Sequence, residues 1–144
     1  MSKTPHGVQV LIIDDDKQFR KELLEEIESH SQGLDLGIQI ADNFENCSFD
    51  HDLYVCAQHV DSQQSCIDQI KKIKDHEPEA SVFVILEFND YDFLKKLFKC
   101  GISGVIDKSH IDVSYLLDEA RTIAETRVKI ERMVQKLNAL NSSE

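Results

Sequence analysis

Val8-Gln9-Val10-Leu11-Ile12-Ile13-Asp14-Asp15-Asp16 is the stretch that decides the fold. A β-branched apolar run ends abruptly in three acids. A strand with one wet face would alternate apolar and polar residues; an unbroken apolar run belongs to a strand covered on both faces, as in a parallel sheet. Helical spacing takes over at once. Lys17–His30 sets Phe19, Leu23 and Ile27 four apart with charges between them, which predicts an amphipathic helix. Strand, acids and helix make one βα unit.

Reading outward, the unit recurs. Gly33 and Gly37 bracket a turn, residues 38–41 form a short second strand, and residues 42–49 are a poorly periodic helix or loop. Leu53–Ala57 is the third strand. A helix over residues 62–74 follows, with Cys66, Ile70 and Ile73 on one face and Pro78 ending the unit. Ser81–Leu86 is the strongest strand in the chain. A helix over residues 91–100 stops at Gly101, Gly104–Asp107 is a fifth strand, and the chain is helical from Ile111 to near its end. Five such units predict an α/β fold, a doubly wound parallel sheet with right-handed crossovers. Chemistry in such sheets gathers outside the carboxyl ends of the strands. Those ends carry Asp14-Asp15-Asp16, Ala57-Gln58-His59, Leu86-Glu87 and Lys108-Ser109.

Composition narrows the function. The 144 residues suffice for one domain with a substantial core. Sixteen Lys and Arg against twenty-seven Asp and Glu give a net charge of −11, which argues against nucleic acid and anionic membranes as partners. No apolar run approaches a membrane span, and residues 1–8 lack the apolar stretch of a signal peptide, so a cytoplasmic protein is expected. Cys47, Cys56, Cys66 and Cys100 have no CxxC spacing and are expected as buried thiols. A zinc set of Cys47, His51, Cys56 and His59 fails because an extended strand would hold the two histidines more than ~20 Å apart.

The acid cluster, the Asp52-Leu53-Tyr54-Val55 strand and the run Gly101-Ile102-Ser103-Gly104 ending in Lys108 resemble the receiver domain of two-component response regulators, over roughly residues 8–124. The resemblance implies a flavodoxin-like five-stranded sheet of order 2-1-3-4-5. It also implies a phosphorelay role built on an aspartyl phosphate, made with Mg²⁺ and read by a Thr or Ser and an aromatic residue. Residue by residue, the family's acid pair falls on Asp14 and Asp15 and its lysine on Lys108. Its phosphoacceptor falls on Ala57, its hydroxyl on Leu86, its switch aromatic on Val105, and its proline on Ser109. The methyl group of Ala57 has no oxygen to attack phosphorus. Asp14 and Asp15 alone offer Mg²⁺ a weak, largely hydrated site. The expectation is therefore a pseudo-receiver: a vestigial acidic pocket of Asp14, Asp15 and Lys108, with no cofactor and no enzymatic activity.

Three alternatives bear on the pocket. Asp61 would be a non-standard phosphoacceptor, although a turn or helix cap explains it better. Glu87 turns inward if the fourth strand shifts by one residue, adding negative charge. The string Asp14-Asp15-Asp16 also resembles the Asp-x-Asp opening of haloacid-dehalogenase-type phosphatases, but the later strand ends lack the hydroxyl and acids that such a site needs. Within the pocket, Lys108 is expected to pair with Asp14 or Asp15, with Asp16 capping the first helix.

The last helix points to protein partners. A heptad places Val113, Ala120, Arg127, Val134 and Asn141 on one seam position and Leu116, Ile123, Ile130 and Leu137 on the other. Residues 1–125 make the receiver-like domain and residues 126–144 a helical extension. In the extension Ile130, Met133, Val134 and Leu137 have no sheet left to cover. Residues 121–144 hold five basic and three acidic residues, net +2, whereas residues 1–120 hold eleven and twenty-four, net −13. A homodimer is expected, through a coiled coil or against another subunit's body; a linker to an output domain is the alternative. Tyr91 and Phe93 on the fourth predicted helix form a second partner surface, with Leu94, Leu97 and Phe98 assigned to the core.

Overall fold

The computed structural model describes residues 7–57, 63–87 and 90–142. In chain order the elements are β1 (Val8–Ile13), α1 (Lys17–His30), β2 (Leu36–Ala41), a single 3₁₀ turn (Phe44–Asn46) and β3 (Leu53–Ala57). There follow α2 (Gln63–His76), β4 (Ser81–Leu86), α3 (Tyr91–Lys99), β5 (Gly104–Asp107) and α4 (Ser114–Ser142). The five strands form one parallel sheet, as the sequence predicts, in the order β2-β1-β3-β4-β5 that the resemblance implies.

Strand residues alternate between two apolar layers. Val10, Ile12, Leu53, Val55, Phe83, Ile85 and Ile106 face α1 and the first half of α4, meeting Phe19, Leu23, Ile27, Leu116 and Leu117. Leu11, Ile13, Tyr54, Cys56, Val82 and Val84 face α2 and α3, meeting Ile70, Ile73, Phe93 and Leu97. The parity fixes which strand-end residues share a face.

Local chemistry sets the boundaries. Asp16 ends β1's run and caps α1, its carboxylate accepting from Phe19 N at 3.1 Å. Gly101 closes α3 with φ +92°, a conformation that favours glycine. Gly104 lets the Phe83 ring approach to where a Cβ would stand 2.7 Å from it.

Three boundaries differ from the sequence reading. β2 begins at Leu36 rather than Ile38, because Leu36 and Gly37 take up ladder positions opposite Val8 and Gln9. α4 begins at Ser114 rather than Ile111; Asp112 accepts from the Ser114 amide at 2.9 Å and holds the preceding residues in a turn. Between β2 and β3, where a helix or a loop was expected, there is one 3₁₀ turn. Phe44, Cys47 and Phe49 cover that corner of the sheet, with Phe49 stacked on His76 at 4.2 Å.

All four cysteines are free thiols. Burial pushes the Cys66 thiol up to about 11 and Cys56 higher still, which makes both inert. No described helix is long and apolar enough to cross a membrane.

Candidate functional site

The sheet's carboxyl edge brings Asp14, Asp16, Glu87 and Lys108 together. β1 pairs Ile13 with Cys56, so continuing the register by one residue sets Asp14 beside Ala57. Asp14 is only 2% exposed. Its Oδ1 accepts from the Asp16 amide at 2.9 Å, while its Oδ2 is buried with no hydrogen-bond partner among the described residues. Burial raises its pKa above the ordinary carboxyl value, against the opposing pull of the Asp16 amide and the Lys108 charge.

Lys108 corrects the expected pairing. Its ammonium does not bridge to Asp14 or Asp15; it lies 2.9 Å from Asp16 Oδ2 and 3.5 Å from Glu87 Oε1, and 5.3 Å above the centre of the Phe19 ring. The reason is where each carboxylate stands. Asp14 turns inward beneath its bond to an amide, Asp15 is exposed, and Asp16 stands at the helix start with one oxygen left over from its cap. Burial works to lower the Lys108 pKa, but the bond to Asp16 and the charges of Asp14, Asp16 and Glu87 overcome it and raise it. The same bond, helped by the Phe19 amide, holds the Asp16 carboxyl below its usual value.

Parity makes a second correction. Leu86 is 5% exposed and packs in the α2–α3 layer, so the β4-end residue that reaches the lysine is Glu87. The sequence signal was the two-residue alternation, which puts Glu87 on the same face as Ile85. Ala57 is half-buried against the α1 layer, and Val105 against the other. At the Ser109 position, Asp107 accepts from the Ser109 amide at 2.9 Å and from its hydroxyl at 2.7 Å.

The edge offers few oxygens to a divalent cation. Ala57 contributes no oxygen, Asp16 and Glu87 are engaged on the lysine, and Asp14 sits under its amide bond. Among the described residues no three His, Cys, Asp or Glu side chains converge as a metal site. Asp61 and His59 lie outside the described residues.

Two partner-surface expectations change. Phe93 is 2% exposed, because it and Leu97, four residues apart, face the sheet. The outward aromatic residues of α3 are Tyr91 at 71% and Phe98 at 53%, seven apart, with Lys95 Nζ 4.7 Å above the Tyr91 ring. On α4, Ile130, Met133, Val134 and Leu137 are exposed as expected. Arg127 is not a free seam residue: its guanidinium bonds the Asp52 carboxylate and the Gly7 carbonyl.

The fold is that of a response-regulator receiver domain. It matches the signal receiver domain of an HD domain-containing protein from Pseudomonas fluorescens Pf-5 with a TM-score of 0.67 and 17% identity, over 92% of this chain and 97% of that one. A response regulator from Burkholderia pseudomallei, with a phosphorylated aspartic acid, calcium ion and citrate, matches with a TM-score of 0.60 and 19% identity, over 89% and 74%. A fusion carrying amino acids 181–211 of the yeast Spc42 trimeric coiled coil matches with a TM-score of 0.63 and 16% identity, over 99% and 98%. No protein-family model and no curated protein matches the sequence.

Proposed function

We propose that this chain is a pseudo-receiver, a signalling module that works by binding proteins and does not accept phosphate. The observation that carries the reading is the Lys108 ammonium held by Asp16 and Glu87 at a strand edge where Ala57 offers no nucleophile. An acyl phosphate needs a carboxylate oxygen to attack phosphorus, and a free cation to neutralise the phosphoryl oxygens that arrive. Here the nucleophile is a methyl group and the cation already has two carboxylates. Glu87 would bring negative charge toward a phosphoryl group in place of a hydroxyl donor. With its catalytic parts reassigned, the pocket serves as a permanent clamp between β1, β4 and β5. Regulation then rests on surfaces: the last helix pairs two copies, and the Tyr91 and Phe98 face of α3 takes a signalling partner.

Incubation with acetyl phosphate and Mg²⁺, read by intact-mass spectrometry beside an aspartate-bearing receiver, tests this. The expected result is no phosphoryl adduct on this chain while the control is modified. A stoichiometric adduct, at Asp61 or elsewhere, overturns the reading.

A further inference from the structure

We infer that the exposed end of α4 docks, in a second copy of this chain, into the apolar groove between α1 and the edge strand β2. The inference rests on the reading above that the last helix pairs two copies, and names where it lands. The groove has a volume of about 370 Å³, floored by Leu36, Ile38 and Ile40 of β2 and walled by Leu24 and Ile27 of α1. Ile40 is 43% exposed at an outer edge of the sheet. An open apolar edge of this kind invites pairing and is usually covered.

The helix has the matching pattern. Ile130, Met133, Val134 and Leu137 are 49–63% exposed and stand at i, i+3, i+4 and i+7, the anchor spacing of a helix laid in a groove. From Ile130 to Leu137 the anchors span about 10 Å of helix. Leu36 to Ile40 spans about 13 Å of strand. Charge agrees with shape. Lys129, Arg132 and Lys136 flank the anchors, whereas α1 from Glu22 to its end carries four acids and no Lys or Arg, with Glu28 lining the groove.

The occupant is a second copy, because the chain's own tail cannot reach. α4 is one unbroken helix from Ser114 to Ser142, tied to the sheet at Arg127, so its last turns run on without folding back. A coiled coil is the weaker use of the same residues. With Arg127 engaged on Asp52, the free seam is Ile130, Val134, Leu137 and Asn141, under two heptads where three or four are usual. Each copy offers one helix and one groove, so two reciprocal joints close a two-fold dimer.

Sedimentation equilibrium on the full chain tests the inference, with circular dichroism confirming that each variant is folded. The wild type is expected to dimerise, and Leu137→Asp and Ile40→Asp each to weaken the dimer at least tenfold. Mixed together, those two variants are expected to recombine, because the heterodimer keeps one intact joint. A photo-crosslinker in place of Met133 is expected to capture residues 24–40 of the other copy, a readout that survives a misfolded Ile40→Asp. A dimer that ignores Ile40→Asp, or a crosslink within residues 126–142, overturns groove docking and leaves pairing through the helix standing. A wild-type monomer at the highest concentration overturns both.

Discussion

The Asp14 carboxyl is buried with one oxygen bonded to an amide and the other without a partner among the described residues, and Asp16 stands two residues on. Its raised pKa means that the folded state holds the proton more tightly than the unfolded chain. Stability from this group therefore falls as pH rises from 3.8 through the raised value, and above it the buried charge is a standing cost. Asp14→Asn keeps an acceptor for the Asp16 amide and removes the charge. The variant should be more stable than wild type by about 1 kcal/mol at neutral pH, with the gain fading as pH falls through the folded pKa. Urea unfolding across a pH series checks this; a gain independent of pH would show that charge burial is not its source. Asp16 runs the other way. Its lowered pKa supplies stability above 3.8 that is lost as pH falls below it.

At the scale of elements, β1, β3 and β4 were legible because buried parallel strands are continuous apolar runs, and α1 because Phe19, Leu23 and Ile27 recur four apart. β2 was legible only in part, since Leu36 and Gly37 gain strand character from their partners in β1 and not from their own pattern. The acid and lysine cluster could be read from strand ends. The choice of partner for Lys108 could not, because it depends on how burial and the start of α1 place each carboxylate relative to β5. Leu86 against Glu87 shows how a slip of one residue along a strand exchanges its two faces. Ala57→Asp applies the same register. The new carboxylate would stand beside Asp14, so the variant should lose about 1–2 kcal/mol in EDTA through like-charge repulsion. Millimolar Mg²⁺ should restore the loss by bridging the two acids while leaving the wild-type Tm unchanged. Thermal melts of both proteins with and without Mg²⁺ decide it; an equal rise for the wild type would mean that the native edge already holds the ion.

Across the whole molecule, a body of net charge −13 carries a C-terminal segment of net charge +2, and one residue sets the junction. Asp52 opens β3 at the edge opposite the acid cluster, 9% exposed at its side chain, with Oδ2 accepting from Gln9 N at 2.8 Å and Oδ1 from Arg127. The guanidinium also bonds Gly7, so a single side chain ties α4 to β1 and β3 where the helix leaves the sheet. Removing one partner of a largely buried pair costs more than the pair contributes, because the remaining charge stays desolvated. Partial exposure on the arginine side, 26%, moderates that cost. Arg127→Ala should therefore lower stability by about 1–3 kcal/mol, and Arg127→Lys should recover part of the loss, since an ammonium supplies charge without the two-pronged geometry. Chemical denaturation of the three proteins measures both effects. An Arg127→Ala variant as stable as wild type would mean that the helix is held by its apolar face alone, and that the direction of its exposed end is not set by this junction.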